Sequence, residues 1–237
     1  MRKILLLGSN GRLGSVIAKY LSKKYNLFCM DVGESITNVS EYYQFKNYDD
    51  LKSLYSQNDF YAIIHCQQVK STNFINARLD NISIEEFNKV LSANLELTLF
   101  STQFYLNTLK NKKSLPKGRI INFSSTYSTI SSNPNLYDGT EMGNPVHYTI
   151  SKGGVSSLTK YVAAYYRDYG VLCNSISPHG IENNQSIEFS NNFSHRSPIG
   201  RLSVPEETIP AIEFLLDEKN TYVNGANIPV DGGWTAC

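Results

Sequence analysis

The sequence predicts an α/β protein built on a doubly wound parallel sheet of the Rossmann-like class, with about seven strands and helices on both faces. Short apolar runs alternate along the chain with stretches of helical periodicity, which is the pattern of such folds. The first run, residues 4–7, lacks polar alternation and is followed at once by a glycine-rich turn. The second run, residues 26–30, ends at Asp31. Unbroken apolar strands are typical of parallel sheets buried on both faces.

Length and composition restrict the class of protein. The 237 residues suit one sizeable α/β core, so a single domain over residues 1–237 is expected. A net charge of +1 gives no reason to expect nucleic acid or an anionic membrane as a partner. No stretch has the apolar length of a membrane span. The four cysteines are scattered without a C-x-x-C pair, which favours a reducing, cytoplasmic location and predicts no metal site.

The remaining elements follow the same alternation. Strands are predicted at residues 42–45, 61–66, 119–123, 171–176 and within 222–230. Helices are predicted at residues 13–21, 48–56, 82–108 and 205–216. A further helix is expected to begin with Asn144 as its N-cap and Pro145 in its first turn, because both residue types are favoured there.

The turn after the first strand has the glycine pattern of a dinucleotide-binding loop. Gly8, Gly11 and Gly14 stand between a strand and an amphipathic helix, the context in which this pattern is informative. Glycines let the backbone approach a pyrophosphate, and the N–H groups that begin the helix bind its charge. The predicted cofactor contacts of this turn are Gly8, Asn10, Gly11, Arg12, Leu13 and Gly14. The alternative is a tight turn that only caps a helix.

Asp31, at the tip of the second strand, is predicted to select the cofactor. Its carboxylate would accept hydrogen bonds from both ribose hydroxyls of an adenosine and would repel a 2′-phosphate, so NAD is favoured over NADP. The alternative is an aspartate with a purely structural place at a strand end.

Tyr148 and Lys152 are the candidate chemical groups. They stand at i and i+4 of the helix near residue 144, which places phenol and ammonium on one face. The cation and the nearby helix N-terminus would both lower the pKa of the phenol and make it a usable acid and base. The alternative is a solvated helix face. His147 is expected on a different face, in a surface or interface position.

These motifs together carry a family resemblance. The turn at 8–14, Asp31, Asn94, G-R-I-I-N-F-S-S at 118–125, Y-T-I-S-K at 148–152 and V-D-G-G-W at 230–234 occur in this order. The chain thereby resembles the short-chain dehydrogenase/reductase family over essentially its full length. The resemblance implies that Tyr148 is the catalytic acid and base and Lys152 its modulator, which also holds the nicotinamide ribose. It implies that Ser125 orients the substrate carbonyl. Asn94 would kink its helix and hold a water that joins Lys152 to solvent.

The resemblance also implies further cofactor contacts and an assembly. Segment S-P-H-G-I at 177–181 matches the family's loop beside the nicotinamide, with Ile181 near the carboxamide. The implied contacts are Cys66, Gln67, Pro178, His179, Gly180 and Ile181, besides Tyr148 and Lys152. Family members commonly pair the helix of Tyr148, which carries the aromatic residues of 161–166, across a subunit interface. A homodimer or homotetramer is therefore expected.

Several features depart from the family pattern. The glycine spacing is that of a longer, sugar-nucleotide-modifying branch. His65-Cys66-Gln67-Gln68 stands where the family usually has N-N-A-G. His179 replaces a customary glycine. The loop between Ser125 and Tyr148 is longer than usual, and similar inserts occur in members associated with sialic-acid-like and other bacterial surface sugars.

The expected function is NAD-dependent interconversion of a secondary alcohol and a ketone by hydride transfer. A polar, polyhydroxylated substrate, a sugar or sugar derivative, is expected because the loop 127–144 and the segment after Ile181 are polar, whereas apolar substrates favour apolar linings. Arg196 or Arg201 would hold a substrate phosphate. Two alternatives stay open: a non-catalytic dinucleotide-binding regulator, and an epimerase or dehydratase with tightly bound NAD. The polar residues concerned are Tyr127, Ser128, Thr129, Ser131, Ser132, Asn133, Asn135, Tyr137, Asp138, Thr140, Glu141, Glu182, Asn183, Asn184, Gln185, Ser186, Asn191 and Asn192.

Overall fold

A computed structural model describes residues 1–34, 41–69, 78–110, 118–140 and 142–237. Its strands are β1 (Lys3–Leu7), β2 (Asn26–Asp31), β3 (Glu41–Gln44), β4 (Phe60–His65), β5 (Gly118–Phe123), β6 (Val171–Pro178) and β7 (Asn227–Val230). All pairings among them are parallel, in the order β3-β2-β1-β4-β5-β6-β7. The order reverses between β1 and β4. A reversal of this kind opens a crevice at the carboxyl ends of the strands.

The helices lie on both faces of this sheet. They are α1 (Arg12–Leu21), α2 (Tyr48–Gln57), α3 (Ile84–Leu91), α4 (Leu97–Leu109), α5 (Val146–Tyr165), α6 (Ile187–Arg196) and α7 (Ile209–Leu216). One core cluster joins α1 and α7 to the strands, with Ile17, Leu21 and Ile212 fully buried. A second cluster joins α2, α4 and α5 to the other face. The predicted fold class is confirmed.

Two helices differ from their predicted form. The stretch predicted as one helix at 82–108 contains a π-helical turn, Ser92–Glu96, between α3 and α4. The predicted N-cap of α5 is wrong. Pro145 holds that position with an extended backbone, and the Asn144 amide donates to the Thr149 hydroxyl at 2.8 Å. The side chain of Asn144 therefore bonds to another side chain rather than to the first N–H groups of the helix.

Helix α6 was not predicted. Its sequence is mostly polar, but Phe189 and Phe193 stand at i and i+4 and are both buried. The Ser186 hydroxyl accepts a hydrogen bond from the Phe189 N–H at 3.2 Å and so caps the helix. Two anchoring rings and a cap are enough to hold a helix against the mouth of the crevice.

A buried arginine fastens β5 to the end of α7. Arg119 is 1% exposed, yet its guanidinium donates to the carbonyls of Leu215, Asp217 and Asn220 at 2.8–3.1 Å. These acceptors satisfy a charge that would otherwise be costly to bury. Among the described residues, no helix has the length and apolar character needed to cross a membrane.

Candidate active site

The glycine turn is shaped by close backbone packing. Gly8 has φ of +83°, and a Cβ there would lie 2.4 Å from the backbone of Gln67. A Cβ on Gly14 would lie 1.9 Å from the Gly8 carbonyl oxygen. Both positions therefore require glycine, because α1 starts directly against the turn and the turn against the end of β4. Gly11 is the N-cap residue of α1 and provides no side-chain cap, so the first N–H groups of α1 have no helical acceptor.

Asp31 belongs to a hydrogen-bonded corner beside this turn. Its carboxylate accepts from the backbone N–H groups of Asn10 and Val32, both at 2.8 Å. The Asn10 amide donates to the Glu34 carbonyl at 2.8 Å and to the Tyr42 hydroxyl at 3.1 Å. The Tyr42 hydroxyl in turn donates to the Gly33 carbonyl. The residues after Asp31 are thus held in place, and Tyr42 is a contributor that sequence reasoning missed.

Residues 65–68, which depart from the family's N-N-A-G pattern, lie partly in the core and partly at the cavity. His65 is buried, with Nδ1 2.7 Å from Asn122 Oδ1 and Nε2 2.8 Å from Ser101 Oγ. Burial lowers the pKa of His65 to about 4, so this histidine is a neutral core residue. Gln67 donates to the Thr98 hydroxyl at 2.7 Å, while its buried Oε1 has no hydrogen-bond partner among the described residues. The histidine supports β4 and β5, and the glutamine keeps an acceptor for a ligand.

Asn94 lies at the centre of the π-helical turn. Its amide donates to Ser151 Oγ and its Oδ1 accepts from the Val69 N–H, both at 3.1 Å. The Ser151 hydroxyl donates to the Tyr148 carbonyl at 2.8 Å. The predicted distortion of this helix is present, and π-helical turns are frequent at functional sites. Asn94 connects the turn to α5 beside Tyr148. Its predicted role as a water ligand stays a prediction.

Ser125 and Tyr148 meet at the carboxyl end of β5. The Ser125 side chain is buried and the Tyr148 side chain is partly buried. The pKa of Tyr148 is raised, because burial disfavours the phenolate more than the interaction with the Ser125 hydroxyl favours it. The predicted lowering of this pKa is therefore wrong for the protein alone.

Contrary to the expectation from the sequence, the Lys152 ammonium does not offset the effect of burial on the pKa of Tyr148. Its Nζ donates to the Phe123 carbonyl at 2.8 Å and lies 5.8 Å from the centre of the Tyr148 ring. Burial lowers the pKa of Lys152 to about 8. Because the ammonium is aimed at the end of β5 rather than at the phenol oxygen, its charge acts weakly on Tyr148.

His179 joins the loop after β6 to the segment that carries Ser125. Its Nδ1 lies 2.7 Å from Thr126 Oγ1, and its buried Nε2 has no partner among the described residues. The ring packs against Trp234 and Phe193, with centroids at 4.3 and 5.3 Å. Burial lowers its pKa to about 4. A side chain where the family has glycine thus fills an aromatic cluster at the carboxyl end of the chain.

One cavity of about 690 Å³ joins most of the predicted residues. It runs from the glycine turn and Asp31 to the pair Tyr148 and Lys152. Gly14 and Asn94 do not line this cavity, and both act through backbone packing and hydrogen bonds. The predicted residues that line it are Gly8, Asn10, Gly11, Arg12, Leu13, Asp31, Cys66, Gln67, Ser125, Tyr148, Lys152, Pro178, His179, Gly180 and Ile181.

A side cavity of about 180 Å³ opens beside Tyr148. It shares Gln68, Val69, Tyr127, Tyr137, Tyr148 and Phe189 with the main cavity, which makes it an extension of the same space. Its other walls include Val90, Met142, Asn144, Pro145 and His147. The space next to the candidate acid and base is therefore lined by aromatic and apolar groups together with hydroxyls, two side-chain amides and an imidazole.

This lining differs from the one expected from the loop composition. Of the polar residues expected there, Tyr127, Tyr137, Asn183 and Gln185 border a cavity, and Glu141 lies outside the described residues. Several of the other polar residues form hydrogen bonds within local caps and turns. Asn133 caps a 3₁₀ turn at Pro134–Tyr137, and the Asn192 amide donates to the Leu136 and Asp138 carbonyls. Loop polarity here serves the loop's own backbone.

The positions of Arg196, Arg201 and His147 also differ from those predicted. Arg201 forms a two-bond ion pair with Glu207 at 2.7 and 2.8 Å, and Arg196 lies over the Trp234 ring. Neither arginine lines the two cavities. His147 is fully buried rather than at the surface, with Nε2 3.7 Å from a Glu86 carboxylate oxygen. Helix α3, which carries Glu86, covers that side of α5.

The described residues fit a dinucleotide. The main cavity has the size of a ligand site. One end offers the unpaired N–H groups that begin α1 and the carboxylate of Asp31. Gln67, whose buried Oε1 has no partner among the described residues, lines the cavity between these groups, and Lys152 lies toward the end that holds Tyr148. Anion-binding and ribose-binding groups therefore stand in the order that a dinucleotide requires.

Comparisons with known proteins agree with this geometry. A family model described as enoyl-(acyl carrier protein) reductase matches residues 61–235. Glucose 1-dehydrogenase 2 of Bacillus subtilis is 29% identical over 168 residues, which are 69% of this chain and 60% of that protein. The 3-oxoacyl-(acyl-carrier-protein) reductase of Rickettsia felis is 26% identical over 246 residues, 97% of this chain and 95% of that protein. The first curated relatives are thus matched over about three fifths of their length.

A solved structure extends the similarity to the whole fold. The short-chain dehydrogenase of Leptospira borgpetersenii, determined with bound NAD⁺, superposes with a TM-score of 0.87 and 29% identity. The superposition covers 99% of this chain and 92% of that one. Sheet order, helices and crevice are therefore shared with a protein that holds a dinucleotide.

Proposed function

We propose that this chain, which belongs to the short-chain dehydrogenase/reductase family, is an NAD-dependent oxidoreductase that interconverts a secondary alcohol and a ketone. One observation carries the proposal. Ser125, Tyr148 and Lys152 line one end of a cavity whose other end is the glycine turn and Asp31. A substrate carbon held between these groups would lie next to a bound dinucleotide. The family supports the reaction class, and the geometry supports the assignment of residues.

The residues of the chain divide the work as follows. Tyr148 takes the hydroxyl proton when the alcohol is oxidised and returns it when the ketone is reduced. Ser125, which lines the cavity together with Tyr148, holds the reacting oxygen. Lys152 holds a ribose of the bound dinucleotide. When bound, the dinucleotide accepts or donates the hydride at carbon. Asn94 fixes the position of α5 through Ser151.

NAD rather than NADP is supported by the corner around Asp31. Its carboxylate already accepts two backbone N–H groups, which stabilise its negative charge. Asn10 and Tyr42 hold the following residues close to it. A 2′-phosphate placed there would face that charge, whereas two ribose hydroxyls could donate to it.

A compact hydroxylated substrate, such as a sugar derivative, is the specific form of the proposal. The relative named glucose 1-dehydrogenase acts on a sugar by its name. In this chain, support comes from Asn183, Gln185 and the phenols of Tyr127 and Tyr137 in the cavity lining. The arginines do not border the cavities, so a phosphate group on the substrate has no support from them.

Replacement of Tyr148 by Phe tests the reaction. The variant should bind NADH in a fluorescence titration with nearly unchanged affinity and lose almost all turnover, since only the transferable proton is removed. The readout is NADH absorbance with a panel of sugars, cyclic alcohols, steroids and acyl thioesters. A residual rate above roughly a tenth of the wild type, a loss of under about 1.4 kcal/mol, would reject Tyr148 as acid and base. NAD binding without turnover of any substrate would favour a regulator.

We also infer that two copies of the chain pair through α5. Ile150, Tyr161 and Tyr165 lie on one face of this helix because residues eleven and four apart coincide in direction. Their side chains are 46%, 52% and 72% exposed. The two tyrosine rings stack on each other at 4.4 Å. An apolar stripe of this kind on a helix suits an isologous interface.

A further inference from the structure

Two tyrosines beside Tyr148 form a hydrogen-bonded pair. The hydroxyls of Tyr127 and Tyr137 lie 3.2 Å apart. Tyr127 belongs to a 3₁₀ turn that follows Ser125 directly, and its N–H donates to the Ser125 hydroxyl at 3.2 Å. Tyr137 ends the 3₁₀ turn in the long loop before α5. Both rings line the main cavity and the side cavity, as Tyr148 does.

Both rings of the pair are supported from behind. Tyr127 packs edge-on against His179 with centroids 5.2 Å apart, and Tyr137 packs against Phe189 at 5.8 Å. The Tyr137 carbonyl accepts from the N–H and the hydroxyl of Thr140, at 3.0 and 2.8 Å. Burial raises the pKa of both phenols, so both keep their protons near neutral pH. The pair is therefore a fixed, neutral donor and acceptor.

The pair keeps hydrogen-bonding capacity for a ligand. A phenol offers one donor and accepts from its oxygen lone pairs. The shared bond uses one of the two protons, so one O–H donor is left, together with lone pairs on both oxygens. Both phenols line the main cavity and the side cavity together with Tyr148. A substrate oxygen at the pair would thus lie in the same part of the cavity as the oxygen that Tyr148 and Ser125 hold.

We propose that the Tyr127–Tyr137 pair binds a second oxygen on the carbon next to the reacting carbon, which makes the substrate a vicinal diol or an α-hydroxyketone. This inference rests on the proposed function and narrows its substrate class. Neighbouring oxygens of a vicinal diol lie within hydrogen-bonding reach of each other, and Tyr127, two residues after Ser125, lines the same two cavities as Tyr148. The side cavity of about 180 Å³, with Val90, Met142 and Phe189 in its walls, would receive the carbon skeleton.

Matched alcohols test this inference. The rate of NADH formation is measured with cyclohexane-1,2-diol against cyclohexanol, and with 2,3-butanediol against 2-butanol. We expect kcat/KM for each diol to exceed that of its mono-alcohol by at least about tenfold. Tyr127→Phe and Tyr137→Phe should each lower the diol value roughly two- to tenfold, the worth of one hydrogen bond. Both variants should leave the mono-alcohol value within about twofold. Tyr222→Phe, at a position 98% exposed, is the control.

The outcomes separate this inference from the proposed function. Turnover of both alcohol types without preference for the diol would overturn the inference and leave the proposed function intact. An equal loss for diol and mono-alcohol in the variants would show that the pair only supports the fold, and would also overturn it. A loss confined to the diols supports it. If neither these alcohols nor any member of the wider panel is turned over by protein that binds NADH, the proposed function fails and the inference fails with it.

Discussion

Lys152 is the residue at which function and stability are most directly opposed. Its side chain is buried, and in the described part of the chain its ammonium has a backbone carbonyl, that of Phe123, as its hydrogen-bond acceptor. Burial brings its pKa from the ordinary 10.5 to about 8. Below pH 8 the folded and unfolded chains both carry the proton, so the full cost of burying the charge is present. Between pH 8 and 10.5 the folded chain loses the proton first, and stability from this group rises with pH.

Lys152→Met should therefore stabilise the cofactor-free protein at pH 6–7. The gain is at most roughly 3 kcal/mol, from about 2.5 pKa units at 1.36 kcal/mol each, less the lost hydrogen bond to Phe123. It should shrink as the pH rises from 8 toward 10.5. Thermal unfolding followed by circular dichroism between pH 6 and 10 measures it, with Lys160→Met on the exposed side of α5 as the control. A variant less stable than the wild type at pH 6, or a pH-independent difference, would contradict the burial argument.

Asp31 provides the second test at single residues. Asp31→Ala removes the carboxylate that accepts from Asn10 and Val32. We expect NAD affinity to fall by about tenfold or more, the worth of hydrogen bonds to a charged group, while NADP affinity changes little or improves. Titration of both cofactors, followed by protein fluorescence, gives the ratio. Tyr42→Phe should weaken NAD binding less, because it loosens the corner without removing the charge. Tighter binding of NADP than NAD to the unmodified protein would reverse the assignment.

At the scale of elements, the strand–turn–helix formed by β1, the glycine turn and α1 is the part of the site that least tolerates added side-chain atoms. Gly14→Ala would place a methyl group 1.9 Å from the Gly8 carbonyl oxygen, and neither backbone can move without shifting α1. We expect a loss of roughly 2–4 kcal/mol in the free energy of unfolding and strongly weakened NADH binding.

The matched control for that change is Gly153→Ala, also inside a helix. A Cβ at Gly153 has no heavy atom within 4 Å among the described residues. It should be neutral or stabilise by up to about 1 kcal/mol, since alanine favours helix. Chemical denaturation of both variants decides the point. If Gly14→Ala unfolded at the same denaturant concentration as the wild type, the close packing of turn and helix would be refuted.

The elements also show what sequence patterns can and cannot predict. Strand and helix positions follow from the apolar runs, because parallel strands and amphipathic helices each have a regular signature. Helix α6 has no such signature, since its two buried rings, Phe189 and Phe193, are separated by polar residues. The π-helical turn at Asn94 could be expected from family resemblance, although helical periodicity does not reveal it.

For the site, too, sequence patterns predicted some features and not others. Residues that line the cavity were predictable because their motifs stand at the carboxyl ends of strands. The directions in which the side chains point were not predictable from these motifs. His147 was expected at the surface, but α3 covers it, and Lys152 was expected beside the phenol oxygen, but it donates to Phe123. Polar loop residues were expected to face the substrate, whereas local caps and turns take up several of them. Such outcomes depend on packing between elements that are distant in sequence.

At the scale of the whole molecule, the two sides of α5 have different tasks. One side carries Tyr148 and Lys152 into the cavity. Another carries the exposed stripe of Ile150, Tyr161 and Tyr165. Adjacent exposed apolar groups, such as the stacked rings of Tyr161 and Tyr165, are unusual on a monomer surface unless they serve an interaction. If α5 pairs with its copy, the interface and the catalytic groups share one rigid helix, and assembly would steady the position of Tyr148.

Tyr165→Glu should therefore shift the protein from dimer or tetramer to monomer. The substitution brings a carboxylate to the most exposed ring of the stripe, 72% exposed, where pairing through the stripe would bury a charge in each copy. Sedimentation velocity at micromolar concentration gives the mass distribution, and turnover measured alongside shows whether the monomer keeps activity. Tyr222→Glu places the same charge at a ring that is 98% exposed and is not part of α5 or its stripe, so it should leave the assembly unchanged. A wild-type protein that sediments as a monomer, or equal behaviour of the two variants, would exclude pairing through this stripe.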